Sequence, residues 1–203
     1  FTTEQYMVYE VSGQTKIDYK YNDMLQISEA TFIKDNSKAI KDDWGYATIR
    51  FTYDRRGNKE SECYYDENGY PISVSDGQYG TLYGYNMLNK INKLTYLNQY
   101  GNPMLADKGY ATVEYEYDIY GNIKCEHYYG IDDKPINSNM GVSGIYYEYD
   151  KDNRVCKVSY VDQNNNSIES IDGYAIAMYL YDSDGNKTSE QFFGKNGKPK
   201  ALC

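Results

Sequence analysis

A tyrosine followed by Asp or Asn recurs through this chain at a constant interval of 32 residues. Three other positions keep their residue class relative to it: a glycine eight residues earlier, an aromatic two residues earlier and an aromatic eleven residues later. No insertion or deletion interrupts the series. A fixed period of this length predicts tandem structural units that bury their apolar faces by stacking. The marker tyrosines are Tyr21, Tyr53, Tyr85, Tyr117, Tyr149 and Tyr181.

Each unit has the pattern of a β-hairpin followed by a linker. In the second unit, alternate residues from Ala47 to Tyr53 are apolar or aromatic, which is typical of a strand with one buried face. The same alternation puts Tyr46 on the other face. Gly57 lies in a turn sequence rich in polar residues. Pro71 begins an extended link, where a ladder hydrogen bond is not needed.

These features predict an all-β fold, an elongated tandem β-hairpin array of six 32-residue repeats that forms either a β-solenoid or a long curved antiparallel sheet. A small six-bladed propeller is the alternative, disfavoured because 32 residues hold barely three short strands and a blade usually has four. The whole chain is then a single repeat domain. Its repeats span 13–44, 45–76, 77–108, 109–140, 141–172 and 173–203, and residues 1–12 form an N-terminal cap.

Odd and even repeats differ from each other. The even repeats carry a glutamate two residues before the second aromatic, and the odd repeats carry an aliphatic residue there. The structural unit is therefore a pair of hairpins, and we expect odd and even hairpins to lie on opposite sides of the assembly or to alternate in exposure. The glutamates are Glu62, Glu126 and Glu190, and their odd counterparts are Ala30, Leu94 and Val158.

Aromatic residues dominate the predicted core. The chain has 27 Tyr, five Phe and one Trp, and 18 of these rings fall in the three repeated columns, where we expect packing within and between repeats. Two further rows lie outside the columns and recur every 64 residues. Exposed rings in such rows could stack on sugars or surround choline by cation–π attraction, and the alternative is that they seal the joint between hairpins. The candidate ligand-binding residues are Tyr46, Tyr65, Tyr110, Tyr129, Tyr174 and Phe193.

The charge restricts the partners. A net charge of −9 argues against nucleic acid and anionic membranes, because both bind positive surfaces. No stretch approaches the roughly 18 apolar residues of a membrane-spanning helix. The first residue is Phe1, so we expect a mature or excised fragment. A glycan, a cell-wall polymer or another protein remains as the expected partner.

Residues with catalytic or metal-binding chemistry are scattered. His127 is the only histidine and replaces Thr, Cys, Ser or Gln in the other copies, so we expect a polar strand residue. Asp182, Asp184 and Asn186 resemble a calcium loop but lack its length and closing glutamate. We expect no enzyme activity, no cofactor and no metal. The cysteines, which match no zinc or redox spacing and are not expected to form a disulfide framework, are Cys63, Cys125, Cys156 and Cys203.

The segments Tyr117-Asp118, Gly121-Asn122, Tyr128-Tyr129-Gly130 and Lys134-Pro135, with Gly173-Tyr174-Ala175, resemble bacterial tandem 32-residue Tyr-Asp-x-x-Gly-Asn repeats of uncharacterised proteins. The motif is loosely similar to the shorter YD repeats of Rhs-type proteins. The resemblance covers nearly the whole chain and implies a bacterial, surface-exposed or secreted β-repeat protein. It brings no catalytic residue. The odd repeats depart from it at the turn glycine, with Leu25, Asn89 and Asn153.

Two classes of function follow. The first is a non-catalytic binding module of the bacterial surface or a secreted protein, which recognises cell-wall polymer or glycan through its aromatic rows. The second is a structural spacer or protein-interaction scaffold without a small-molecule ligand. The first class requires Tyr46, Tyr110 and Tyr174, or their neighbours, to be exposed in a shared groove.

Overall fold

The computed structural model describes residues 16–34, 38–39 and 45–201, which form strands and turns without a helix. All strands belong to one antiparallel sheet, and they follow each other in chain order except for the two-residue β3, which pairs only with the end of β2 while β2 continues to β4. The strands are β1 (Lys16–Tyr21), β2 (Ile27–Lys34), β3 (Lys38–Ala39), β4 (Thr48–Tyr53), β5 (Lys59–Tyr65), β6 (Gly80–Tyr85), β7 (Ile91–Leu97), β8 (Thr112–Tyr117), β9 (Ile123–Tyr129), β10 (Gly144–Tyr149), β11 (Val155–Val161), β12 (Ile176–Tyr181), β13 (Lys187–Phe193) and β14 (Pro199–Lys200).

The sheet is open. Each hairpin pairs with the next through a short ladder, such as Ser61 to Cys63 of β5 against Leu82 to Gly80 of β6. β1 and β14 end the strand order and do not pair with each other. The predicted elongated hairpin array is therefore confirmed and the propeller is wrong: each hairpin bonds only to its neighbours along the chain, and no strand pairing among the described residues joins the two ends of the sheet. The predicted cap, residues 1–12, and Cys203 lie outside the described residues.

The Asp-x-x-Gly-Asn motif forms the hairpin turn. Asp54 Oδ1 accepts the backbone N–H groups of Arg56 and Asn58 at 2.8 and 2.9 Å, and Asp54 Oδ2 accepts the Asn58 side-chain amide at 3.0 Å. Gly57 has a φ of +85°, which a glycine adopts without steric cost. The same position has a positive φ in all six hairpins, where the residues are Leu25, Gly57, Asn89, Gly121, Asn153 and Gly185.

The marker tyrosine ties each hairpin to the one before it. The Tyr53 hydroxyl donates to the Ile27 carbonyl, 26 residues earlier, at 2.7 Å. Because the ladder between hairpins is short, it does not reach this carbonyl, and the tyrosine supplies its hydrogen bond. The same bond recurs at the same separation from Tyr85 to Lys59, Tyr117 to Ile91, Tyr149 to Ile123 and Tyr181 to Val155.

Two of the aromatic columns share one side of the sheet, which we call the aromatic face. Residues directly opposite each other in the ladder point to the same side. Ala30 pairs with Ile49, Ile49 with Tyr64, and Phe51 with Glu62, and the series continues through every hairpin. Odd and even hairpins therefore do not lie on opposite sides. The buried core on this face consists of Val113, Tyr128, Val142, Ile145, Val158 and Tyr160.

The linkers fold back against the sheet. Pro71 bridges to Tyr65, and the Ile72 N–H donates to the Tyr64 carbonyl at 3.0 Å. A turn follows in each linker, and successive linker turns are joined by backbone bonds such as Asp107 N–H to the Asp76 carbonyl at 2.9 Å. Linker residues Ile136, Met140 and Ile168 pack against the core. The linkers thus supply the second layer that the aromatic face needs.

Candidate functional site

Tyr46 lies in the joint between an odd and an even hairpin. Its ring centroid is 5.9 Å from that of Phe32 and 5.0 Å from that of Tyr64, and both partners belong to the aromatic face. The alternation of residues predicted Tyr46 on the other side. That prediction is wrong because β4 begins only at Thr48, so the strand period does not extend back to residue 46.

The other two tyrosines of this row repeat the arrangement. Tyr110 lies 5.9 Å from Tyr96 and 4.5 Å from Tyr128, measured between ring centroids. Tyr174 lies between Tyr160 and Phe192 at 5.7 and 4.7 Å. Burial raises the pKa of Tyr110, so its phenol stays neutral at physiological pH. Each ring therefore bridges the second strands of two neighbouring hairpins.

Tyr65, Tyr129 and Phe193 lie on the opposite face of the sheet. They pair across their hairpins with Thr48, Thr112 and Ile176. The next residue of each of these strands points to the aromatic face, so the paired residues point away from it. The Arg50 guanidinium lies 4.1 Å from the centroid of the Tyr65 ring. The six candidate rings are thus divided between two faces, and ligand binding by either row stays a prediction.

A different surface runs along the hairpin turns, and we call it the turn rim. The two central residues of each turn point into solvent. Both are apolar in the third and fourth turns, and in the first turn Met24 and the adjacent positive-φ residue Leu25 are apolar. Their side chains are among the most exposed apolar groups of the described chain. They are Met24, Leu25 (84% exposed), Met87 (96%), Leu88 (81%), Ile119 (92%) and Tyr120 (80%).

Side-chain bonds hold neighbouring turns in one row. Gln26 Nε2 donates to the Gly57 carbonyl at 2.9 Å, Arg56 donates to the Asn86 carbonyl at 3.2 Å, and Lys90 Nζ donates to the Gly121 carbonyl at 2.5 Å. The second turn adds the exposed Arg55 and Arg56 to this row. The repeat pattern did not predict the rim, although apolar residues inside an otherwise polar turn motif mark it in the sequence.

A shallow groove, open to solvent, continues the turn rim beyond its apolar part. It has a volume of about 670 Å³ and lies between the fourth and fifth turns. Tyr120 contributes to both the groove and the apolar row, and the groove has mixed charge, with Lys124 and Lys151 beside three carboxylates. The remaining lining residues are Asp118, Tyr147, Glu148, Tyr149, Asp150 and Asn153.

The side chains with catalytic potential stand apart. His127 Nε2 lies 3.4 Å from the Tyr146 hydroxyl on the opposite face. Cys63, Cys125 and Cys156 are unpaired thiols, and burial raises the pKa of Cys125 to about 11, so it is protonated at neutral pH. Within the described ranges, no group of three or more His, Cys, Asp or Glu residues could hold a metal ion. No helix in this part of the chain is long and apolar enough to cross a membrane.

No protein-family model and no curated protein matches the chain. Among solved structures, the Tc holotoxin pore of Photorhabdus luminescens matches 87% of this chain and 10% of its own, at 13% identity and a TM-score of 0.37. A complex of TcdB2, TccC3 and Cdc42 matches 88% of this chain and 12% of its own, at 13% identity and a TM-score of 0.28. The chain spans about a tenth of those chains, and a likeness this distant assigns neither family nor function.

Proposed function

We propose that the chain is a non-catalytic scaffold that binds a partner protein along the first four turns of the turn rim. The observation that carries the proposal is the row of exposed apolar side chains at these turns, above all Met87, Leu88, Ile119 and Tyr120. Apolar surface that water would otherwise cover contributes roughly 25 cal/mol per Å² when a partner buries it. A contiguous exposed apolar patch is typical of an interaction site.

The fold does not require apolar residues at these positions. The turn is held by the Asp or Asn acceptor and the positive-φ residue, as the fifth and sixth turns demonstrate. Those turns carry Lys151 with Asp152 and Ser183 with Asp184 at the equivalent places. The polar alternatives are therefore compatible with the same geometry, and stability of the hairpin does not explain the apolar choice.

Leu25 supports the same conclusion. It has a φ of +61°, where the other hairpins place Gly or Asn. A left-handed conformation costs about 1–2 kcal/mol for a residue with a Cβ. Because the side chain is exposed, packing within the described chain does not offset this cost. Burial of the Leu25 side chain against a partner would offset this conformational cost.

The charge of the rim indicates the chemistry of the partner. Arg55 and Arg56 lie between apolar turns in a chain whose net charge is −9. Arg56 is already held by Asp54 and the Asn86 carbonyl, whereas Arg55 is exposed. A protein segment with apolar side chains and a nearby carboxylate matches this row, because the carboxylate would pair with the Arg55 guanidinium. Binding to a glycan or cell-wall polymer through the two aromatic rows, and a surface or secreted location, remain predictions from the sequence.

Site-specific photo-crosslinking in the cells that produce the protein tests the proposal. A benzophenone amino acid at position 88 or 120 should trap one discrete protein, and the same group at position 183 should not. With the benzophenone at position 88, Ile119→Ser together with Tyr120→Ser should abolish capture without lowering the melting temperature, since both side chains are exposed. Equal capture at all three positions, or none, would leave a structural spacer as the better explanation.

A further inference from the structure

The even-repeat glutamates lie on the aromatic face among tyrosines. Glu62 pairs across its hairpin with Phe51, Glu126 with Tyr115, and Glu190 with Tyr179. Each carboxylate therefore has an aromatic ring directly opposite it in the ladder. The three sites share one backbone geometry, so differences between them come from side chains alone.

In the first and third copies, a lysine of the same strand occupies the site. Lys59 Nζ is 2.8 Å from Glu62 Oε2, 4.6 Å from the Tyr83 ring centroid and 5.9 Å from the Phe51 ring centroid. Lys187 forms an ion pair with Glu190, and its Nζ lies 5.0 Å from the Tyr179 ring centroid. A carboxylate and aromatic rings thus hold a primary ammonium group at two of the three equivalent places.

The middle copy has Ile123 in place of this lysine. Glu126 Oε1 accepts a hydrogen bond from the Tyr147 hydroxyl at 2.6 Å. No Lys or Arg among the described residues forms an ion pair with Glu126. Burial raises the pKa of Tyr115 and Tyr147, so both rings are neutral. The site keeps its anion and its rings but lacks the cation.

We propose that Glu126, Tyr115 and Tyr147 bind a primary alkylammonium group from outside the chain, the group that a lysine side chain presents. The carboxylate accepts its N–H donors, and the ring faces attract its charge. Glu126 is half-buried, so a ligand can reach it from solvent. A hard metal ion fits less well, because the site offers one carboxylate and no further strong oxygen ligand. Tyr147 also lines the groove that continues the turn rim. None of the three residues belongs to the exposed apolar row that carries the proposed scaffold function, so this proposal does not rest on it.

A titration with n-butylammonium chloride, which has the length of a lysine side chain, tests the proposal. Backbone amide chemical shifts should change saturably around Glu126 and Tyr147, with a dissociation constant of about 1–10 mM. Neutral n-butanol and sodium chloride at equal concentration should not reproduce the shifts. Tetramethylammonium, which has no N–H donor, should bind more weakly.

Three variants test the site in both directions: two should reduce ammonium binding, and one should create a second binding site. Ile123→Lys should place an internal ammonium in the site and abolish binding, and Glu126→Gln should weaken binding at least about tenfold. Lys59→Ile should open a second site at Glu62, so that the shifts appear in two places. Far-UV circular dichroism establishes that each variant is folded. Binding that persists in folded Glu126→Gln, or a folded Lys59→Ile protein without a second site, would overturn the proposal.

Discussion

The Tyr149 hydroxyl donates a hydrogen bond to the Ile123 carbonyl at 2.8 Å, across the boundary between two hairpins. The equivalent bond occurs in five successive repeats, always over 26 residues. The most regular residue of the sequence repeat is thus explained by a contact with the preceding repeat. The array depends on such neighbour contacts, because the ladder between hairpins is short.

Removing this hydroxyl should destabilise the array. In Tyr149→Phe the Ile123 carbonyl loses its side-chain donor, and we expect the free energy of unfolding to fall by about 1–2 kcal/mol. Urea unfolding followed by circular dichroism measures the change. Tyr120→Phe is the matched control, since its ring is exposed and should leave the midpoint unchanged. Equal midpoints for the two variants would contradict this role of the hydroxyl.

The joint tyrosines should matter for stability. Tyr110→Ala removes a ring packed between Tyr96 and Tyr128, and we expect a loss of about 2–4 kcal/mol in the free energy of unfolding. Tyr129→Ala, on the opposite face, should cost less. The same pair tests the glycan prediction: quenching of tyrosine fluorescence by glycan or cell-wall fragments should disappear in one variant if that row binds them. Similar stability of both variants would argue against the packing role of Tyr110.

The turn aspartates should make stability depend on acid pH. The side-chain amide of Asn58 lowers the pKa of Asp54, and that of Asn186 lowers the pKa of Asp182. Because the folded pKa is below the unfolded value, the stabilisation is complete above the unfolded pKa of about 3.9 and is lost as the pH falls through the folded pKa.

Urea midpoints between neutral pH and about pH 2.5 measure this dependence, because they span the titration of both states. Asp54→Asn is the control, since Asn22 and Asn86 hold the same position in odd hairpins. It should retain the turn and show a weaker decline in acid. A decline identical to that of the unchanged protein would show that Asp54 does not contribute.

Leu25 should be suboptimal for folding. Leu25→Asn introduces the residue that two other hairpins use at this positive φ, and we expect a gain of about 0.5–1 kcal/mol in the free energy of unfolding. The same variant should weaken partner binding along the turn rim, because it removes an exposed apolar group. A stabilised variant with unchanged binding would exclude Leu25 from the interface, and a destabilised one would refute the strain at this residue.

Local features of the fold were predictable because they repeat along the chain. The hairpin strands follow from the alternation of apolar residues, and the turn around Gly57 follows from the need for a residue that accepts a positive φ. Pro71 lies where the backbone needs no N–H donor. The shared face of the columns also follows, since the ladder preserves register from hairpin to hairpin. Tyr46 was misplaced because it precedes the strand to which the alternation was applied.

The amino-acid sequence by itself determined the period, the hairpin unit and the turn chemistry, since these depend on residues a few positions apart. Only the tertiary structure decided that the array is open, that the Tyr149 hydroxyl reaches Ile123, and that the lysines of the other two even repeats pair with their glutamates while Glu126 faces tyrosines instead. These depend on how separate hairpins meet at their edges. A local sequence pattern does not determine these contacts, because they involve residues of different hairpins that only strand pairing brings together.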